Sequence, residues 1–477
     1  MTVRTRFAPS PTGFLHIGGL RTALWAFVFA RQHDGRMVLR IEDTDRNRLV
    51  PGAVEAIIET LGRMGIDYDE GMRIQDGRIV EVGEYGPYLQ SKRLALYRRY
   101  ADELLQQGHA YRCFCTKERL ETMRKEQEAT KQQTKYDRAC LGLSSDEVTQ
   151  RVNAGEEHVV RMRIPEGETK TEDLVYGARV FQNAEIDDQV ILKSDGYPTY
   201  HLAVVVDDHL MEISHVIRGE DWISTIPKQI ILYTMLGWSS PVFAHVPNLL
   251  GESKKKLSKR QGDVAVEDFL NGGILPEALL NFVATLGFNP KGDQEIYSLP
   301  EFTALFDFSR VNRSGAVVNR EKLLWMNGEY LKQKTGEELA ALCQSKTSGR
   351  FFELEKTRVQ TLTELAEMVA SYEKDPRVSA ELLVWKKADA SDAKTQLGDV
   401  LGFVQDLPEV TFDSVEALET SLLDYIDTHQ LSKGNVLWPL RVALSGKKDS
   451  PSPFELLWAF GKIESVRRIK NAMTMLS

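Results

Sequence analysis

The chain has 477 residues, 42 % of them hydrophobic, and a formal net charge of −9 at pH 7. This length suggests about three domains with ordinary packed cores, and the negative balance excludes general coating of polyanions while leaving room for a local basic face. Four cysteines are too few for a disulfide scaffold. No apolar run reaches the roughly 18 residues of a membrane span. The first motif begins at Arg6, with no signal or transit segment before it, so a cytoplasmic location is expected.

A β-type run, Val3 to Phe7, ends in Pro9 and Pro11; a turn with Gly13 follows, then His16 and an apolar-periodic helix from about Gly18 to Arg31. This order places His16 and several backbone N–H groups at a helix N-terminus, whose partial positive charge suits a phosphate. The pattern is neither a P-loop nor GxGxxG. Met37 to Ile41 reads as a second strand, Val54 to Met64 as an amphipathic helix, and Leu94 to Gly108 as a helix stopped by its glycine. From Cys113 to about Ile191 a charged helix (Thr116 to Lys131) and short strands such as Val159 to Arg163 read as an insertion. Alternation resumes with Tyr200 to Asp207, Glu212 to Ile217 and Pro227 to Leu236. Residues 241–330 are mixed and contain Lys254 to Arg260 between Gly251 and Gly262. Beyond 330 helical periodicity dominates: Glu337 to Cys343, Thr361 to Tyr372, Val415 to Thr428, Pro453 to Phe460 and Ile463 to Met473.

Two distant segments suit one nucleotide: His16-Ile17-Gly18-Gly19, and Lys256-Leu257-Ser258-Lys259-Arg260 on a glycine-flanked loop. They resemble the HIGH and KMSKS signatures of class I aminoacyl-tRNA synthetases. Arg6 to Gly19, Arg40 to Asp45, Gly86-Pro87-Tyr88, Asp195 to His201, Val206 to His209, Val216 to Asp221 and Lys256 to Gln261 together resemble bacterial-type glutamyl-tRNA synthetases over nearly the whole chain. Gly19 replaces the second histidine of the HIGH box, as is common in that family.

The resemblance implies an α/β fold. A Rossmann-like catalytic domain is expected in two halves, 1–112 and 192–240. An acceptor-end insertion at 113–191 splits it. A stem-contact region with the KMSKS-like loop follows at 241–330, and an all-α anticodon-binding region at 331–477. It implies ATP-dependent charging of tRNA(Glu) with L-glutamate, with Mg2+ accompanying ATP, by a monomer that needs no membrane. Whether tRNA(Gln) is also charged stays open. In such activation a carboxylate oxygen attacks the α-phosphorus, and preorganised cations and donors stabilise the developing charge. His16 and Lys259 are the expected catalytic pair. Asp221, Trp222 and Leu250, with His16, Gly18, Gly19 and Lys259, fall where the family holds ATP.

A dicarboxylic amino acid needs two cationic contacts and one anionic contact. Arg6 and Arg218 suit its carboxylates, since guanidinium binds carboxylate in a bidentate fork; which arginine meets which carboxylate stays open. Glu42 suits the α-ammonium, helped by Ser10 and the backbone at Ala8, and Tyr200 adds a hydroxyl. Val204 stands where some relatives have a polar contact and supplies only shape. Cys113, Cys115 and Cys140 form a candidate zinc site, with Tyr136 in the fourth position that some relatives use. Arg358, just before a helix, matches an arginine that relatives use to read an anticodon base.

Other readings share parts of this pattern. A glutamate-transferring modification enzyme or a small-molecule nucleotidyltransferase needs no residues 331–477. A non-catalytic tRNA binder would not need His16 and Lys259 together. A glutaminyl enzyme is expected to have a β-rich anticodon region.

Overall fold

The computed structural model describes residues 2–257, 264–386 and 388–476. The chain divides into two compact units, Met1–Phe269 with Leu279–Asn319, and Leu270–Ala278 with Arg320–Ser477.

In the first unit Arg4–Phe7, Arg36–Leu39 and Glu70–Gln75 form a parallel ladder, and Arg78–Val82 folds back antiparallel on the last. Arg4–Phe7 is buried along its whole length, as a central parallel strand must be. A second sheet has the order His215–Gly219, Val242–Val246, Glu168–Asp173, Gly177–Gln182. Ser214 N–H donates to the Arg4 carbonyl at 3.0 Å and Arg4 N–H donates to Ser214 Oγ at 2.8 Å, joining the two sheets edge to edge. The chain thus builds outward from Arg4–Phe7 in one direction and, after the insertion, in the other. Ligands of open α/β sheets bind at such a switch point, beyond the C-terminal strand ends.

Helix Ile17–Gln32 buries residues on nearly every side, among them Leu20, Leu24, Trp25 and Val28, so its start is held rigidly beside the switch point. A three-stranded antiparallel sheet forms from Ala110–Cys113, which leads into the insertion, with Val159–Met162 and Val190–Leu192. The insertion's strand Glu168–Asp173 does not stay apart. It pairs with Val242–Val246 through Phe243 and Asp173 and extends the catalytic sheet. The Asp173 carboxylate fixes it there by accepting the N–H groups of Val175, Tyr176 and His245.

Among the described residues from Arg320 onward there are only helices, turns and irregular segments. Helix Arg320–Gln333 runs across position 330, so the change to helical structure begins about ten residues before the expected boundary. Leu397, Val400, Leu418, Leu422, Leu440, Leu456 and Ile469 are fully buried there. The terminal helical segment, Pro453–Thr474, is broken at Gly461, where φ is 68° and ψ 177°; the two periodic runs in the sequence are two helices around that break. No helix among the described residues is long and apolar enough to cross a membrane.

Candidate active site

A cavity of about 790 Å³ opens at the switch point, within the size range of small-ligand sites. Its lining brings together Arg6, Ala8, Ser10, His16, Gly18, Gly19, Glu42, Tyr200, Arg218, Asp221, Trp222, Lys256 and Leu257 from segments far apart in sequence. Leu250 is not on the lining, where its neighbour Leu249 stands. Val204 is 1 % exposed and belongs to the buried cluster containing Tyr97, Leu104 and Leu232. Ser258, Lys259 and Arg260 lie outside the described residues.

His16 caps helix Ile17–Gln32 in extended conformation, and its Nδ1 accepts the Gly18 N–H at 2.9 Å. That contact assigns the proton of a neutral ring to Nε2. The Ile17 N–H donates to the Val264 carbonyl at 3.0 Å. Two of the first N–H groups are therefore used within the fold, fewer open donors than the sequence suggests. A Cβ at Gly19 would meet Leu15 Cδ1 at 2.9 Å, so a side chain there requires Leu15 to move.

The charged residues form a buried network rather than surface pairs. Arg6, 3 % exposed, directs Nε at Asp208 Oδ1 (3.3 Å) and donates Nη1–H to the Ile217 carbonyl (3.3 Å). Arg40, fully buried, donates to Asp208 Oδ1 at 2.7 Å and to Glu42 Oε1 at 3.2 Å. Asp207 is held by Arg93, Gln90 and Tyr97 at 2.7–2.9 Å. Burial pushes the Glu42 carboxyl up from its ordinary range, while Arg40 and Arg6 pull it down. Arg218 is also buried. Burial pushes its guanidinium down, against Tyr200, which stabilises its charge. Its Nη1–H donates to Tyr200 Oη at 3.2 Å, and Nη2 has no hydrogen-bond partner among the described residues.

The Tyr200 and Trp222 rings lie with centroids 4.3 Å apart and planes at 31°. Lys256 pairs with Asp221, which also accepts from Asn248 Nδ2 at 3.0 Å. Burial would raise the Asp221 carboxyl, but its hydrogen bonds from Lys256 and Asn248 hold it below the usual range. Arg40, Asp208, Asn248, His245 and Asp173 are the members that sequence reasoning did not assign. Their one signal was the motif context of Arg40 and Asp208.

Apart from this cavity, the Sγ atoms of Cys113, Cys115 and Cys140 lie within 4.8 Å of one another. Tyr136 Oη is 3.3 Å from the first two and accepts the Cys140 N–H at 3.1 Å. Burial raises the Cys113 thiol, but its hydrogen bonds with Tyr136 and the Cys115 backbone, with Arg161 close by, hold it below its ordinary value. Three sulfurs and one phenolic oxygen at this spacing fit the tetrahedral shell that zinc prefers. In the second unit Arg358 lies between helices Gly349–Glu355 and Leu362–Ala370. It reaches the buried carboxylate of Glu355 at 3.2 Å and lines a cavity of about 470 Å³ with Trp325, Lys332 and Gln360.

Comparison with known proteins follows the same division. Residues 2–325 match the family "tRNA synthetases class I (E and Q), catalytic domain", and residues 321–473 match "Anticodon binding domain". A glutamate--tRNA ligase of Clostridium acetobutylicum is 41 % identical over 99 % of this chain and 99 % of its own. One of Clostridioides difficile is 41 % identical over 98 % of each. The crystal structure of a glutamate tRNA ligase from Elizabethkingia meningosepticum, in complex with its amino acid, superposes with a TM-score of 0.87 at 32 % identity over 100 % of both chains. The chain belongs to the glutamate–tRNA ligase family of class I aminoacyl-tRNA synthetases.

Proposed function

We propose that the chain joins L-glutamate to tRNA(Glu) through a glutamyl-adenylate. The α-carboxylate of glutamate attacks the α-phosphorus of ATP and pyrophosphate leaves; the terminal ribose hydroxyl of the tRNA then attacks the adenylate carbonyl and AMP leaves. The observation that carries this reading is the charge inventory of the switch-point cavity. Two buried arginines, Arg6 and Arg218, and one buried carboxylate, Glu42, face one space beside a capped helix start. That inventory is the complement of an amino acid with two carboxylates and one ammonium. Arg6 and Arg218 bind the carboxylates, and Glu42, Ser10 and the Ala8 backbone bind the ammonium. His16 and Lys259 stabilise charge on the reacting phosphate, where positioning and electrostatics supply the rate without a protein nucleophile. Asp221 and Trp222 border the nucleotide. Mg2+ bound with ATP supplies charge neutralisation on its phosphates.

Cys113, Cys115, Cys140 and Tyr136 would hold zinc as a structural cross-link of the insertion. Arg358 would read an anticodon base, where base contacts specify and phosphate contacts position. Charging purified tRNA(Glu) and tRNA(Gln) with labelled glutamate tests the reading. Glutamyl-tRNA(Glu) is expected, and the yield on tRNA(Gln) tells whether the enzyme discriminates. No glutamyl-tRNA from either would reject the reading.

A further inference from the structure

Arg218 lacks the partner that buried arginines normally have. Among the described residues no carboxylate forms an ion pair with it, although the residue is only 5 % exposed. Its Nε–H donates instead to Nε2 of His245 at 3.0 Å. The two stand side by side on adjacent parallel strands, in register. His245 is fully buried, and its Nδ1 lies 2.6 Å from Asp173 Oδ2. The Asp173 carboxylate, 2 % exposed, also accepts the backbone N–H groups of His245, Val175 and Tyr176. Four donors on one carboxylate keep it ionised. An ionised Asp173 accepts the hydrogen bond of Nδ1–H, which leaves the lone pair of Nε2 for Arg218.

This chain of contacts does what a carboxylate at position 245 would not. A carboxylate would orient the guanidinium and also cancel its charge. A neutral imidazole orients it through the same hydrogen bond and leaves the charge in place. The Nη2 group then has no partner within the described residues, and the cavity beside it is where a carboxylate ligand would supply one.

We propose that Asp173 and His245 form a positioning dyad that orients Arg218 and keeps its charge uncompensated for the side-chain carboxylate of the amino-acid substrate, so that His245 governs preference for glutamate over its amide. This rests on the reading that Arg218 binds the substrate. His245 touches no substrate atom; it acts through Arg218.

Two variants of equal size and opposite consequence separate this role from mere packing. His245→Gln keeps an acceptor for Arg218 without charge. His245→Glu supplies an acceptor and a compensating charge. Both are measured as the full chain with tRNA(Glu), by pyrophosphate exchange, for glutamate, glutamine and ATP. His245→Gln is expected to keep the glutamate KM within about fivefold of the parent, and His245→Glu to raise it about 10–100-fold, the scale of one charge-assisted hydrogen bond lost by the substrate. The ATP KM should change by less than about twofold in both, and the glutamate-to-glutamine preference should fall at least about tenfold only in His245→Glu. If His245→Glu fails to fold, His245→Phe replaces it; removal of the acceptor should then raise the glutamate KM by about tenfold or more where His245→Gln does not. Equal glutamate KM and equal preference in the Gln variant and its comparator would overturn the dyad. Arg218→Ala marks the other failure. If it leaves the glutamate KM unchanged, the assignment of Arg218 to the substrate falls, and the dyad with it. If it raises that KM while the position-245 variants behave alike, only the dyad falls.

Discussion

Glu42 is pulled in two directions, and the balance bears on substrate binding. Burial favours its neutral form, while Arg40 and Arg6 favour the carboxylate. An incoming α-ammonium adds a third cation and shifts the balance to the charged form. Glu42→Gln keeps the shape and removes that response. The glutamate KM should rise about 10–100-fold with the ATP KM nearly unchanged; steady-state exchange kinetics would contradict the role if both constants rose together. His201 gives a pH prediction. It is 8 % exposed, and burial, with Lys228 and Arg218 nearby, lowers its pKa from 6.5 to about 4. The folded ring stays neutral where the unfolded one takes up a proton. The neutral ring's stability is complete above pH 6.5 and is lost as pH falls from there toward about 4. His201→Leu should therefore lose roughly 1–3 kcal/mol less stability between about pH 7 and pH 4 than the parent. Urea midpoints across that range measure it, and an unchanged slope would contradict it. At this scale the meeting of Arg6, Glu42 and Arg218 on one cavity was legible, because each stands in a motif of recognisable composition. Asp173 and His245 were not. They lie far apart in sequence, in no motif, and acquire meaning only when two strands pair.

Elements were legible where local chemistry declares them. Thr335, Thr361 and Ser452 each close a capping box with the residue three positions on, at the starts of three expected helical runs; Asp389 does the same for helix Ala390–Asp406, which the periodicity reading did not name. The break at Gly461 was legible as a gap between two periodic runs. Its φ of 68° and ψ of 177° belong to a region that essentially only glycine occupies. A Cβ there would meet nothing within 4 Å, so Gly461→Ala strains the backbone and clashes with no neighbour. It should destabilise the helical unit by about 1–3 kcal/mol, read as a lower urea midpoint; equal or greater stability would contradict the backbone argument. Strand Glu168–Asp173 shows the limit of local reading. Its composition matches the rest of the insertion, and only pairing with Val242–Val246 assigns it to the catalytic sheet. The cysteine cluster makes a further prediction. Protein purified without chelator should carry about one zinc per chain, and Cys140→Ser should lose it; less than about 0.1 per chain in the parent would reject the metal assignment.

For the whole molecule, the order of elements was legible before any contact was known, because a parallel sheet, an insertion and a helical array have different periodicities. How the sheet halves meet was not, because the Arg4–Ser214 junction spans some two hundred residues. That junction brings the strands of Arg6 and Arg218 together, and both residues line one cavity. The net charge of −9 makes tRNA binding depend on local basic surfaces, so it should weaken with salt as phosphate contacts release counterions. Under the proposed function this cavity selects a dicarboxylic amino acid by charge. The direct measurement is tRNA(Glu)-dependent pyrophosphate exchange with glutamate, glutamine and aspartate offered separately. Glutamate should exceed glutamine by about 10⁴ in kcat/KM, since the amide leaves a buried guanidinium unpaired. Comparable exchange with glutamine would contradict selection by charge.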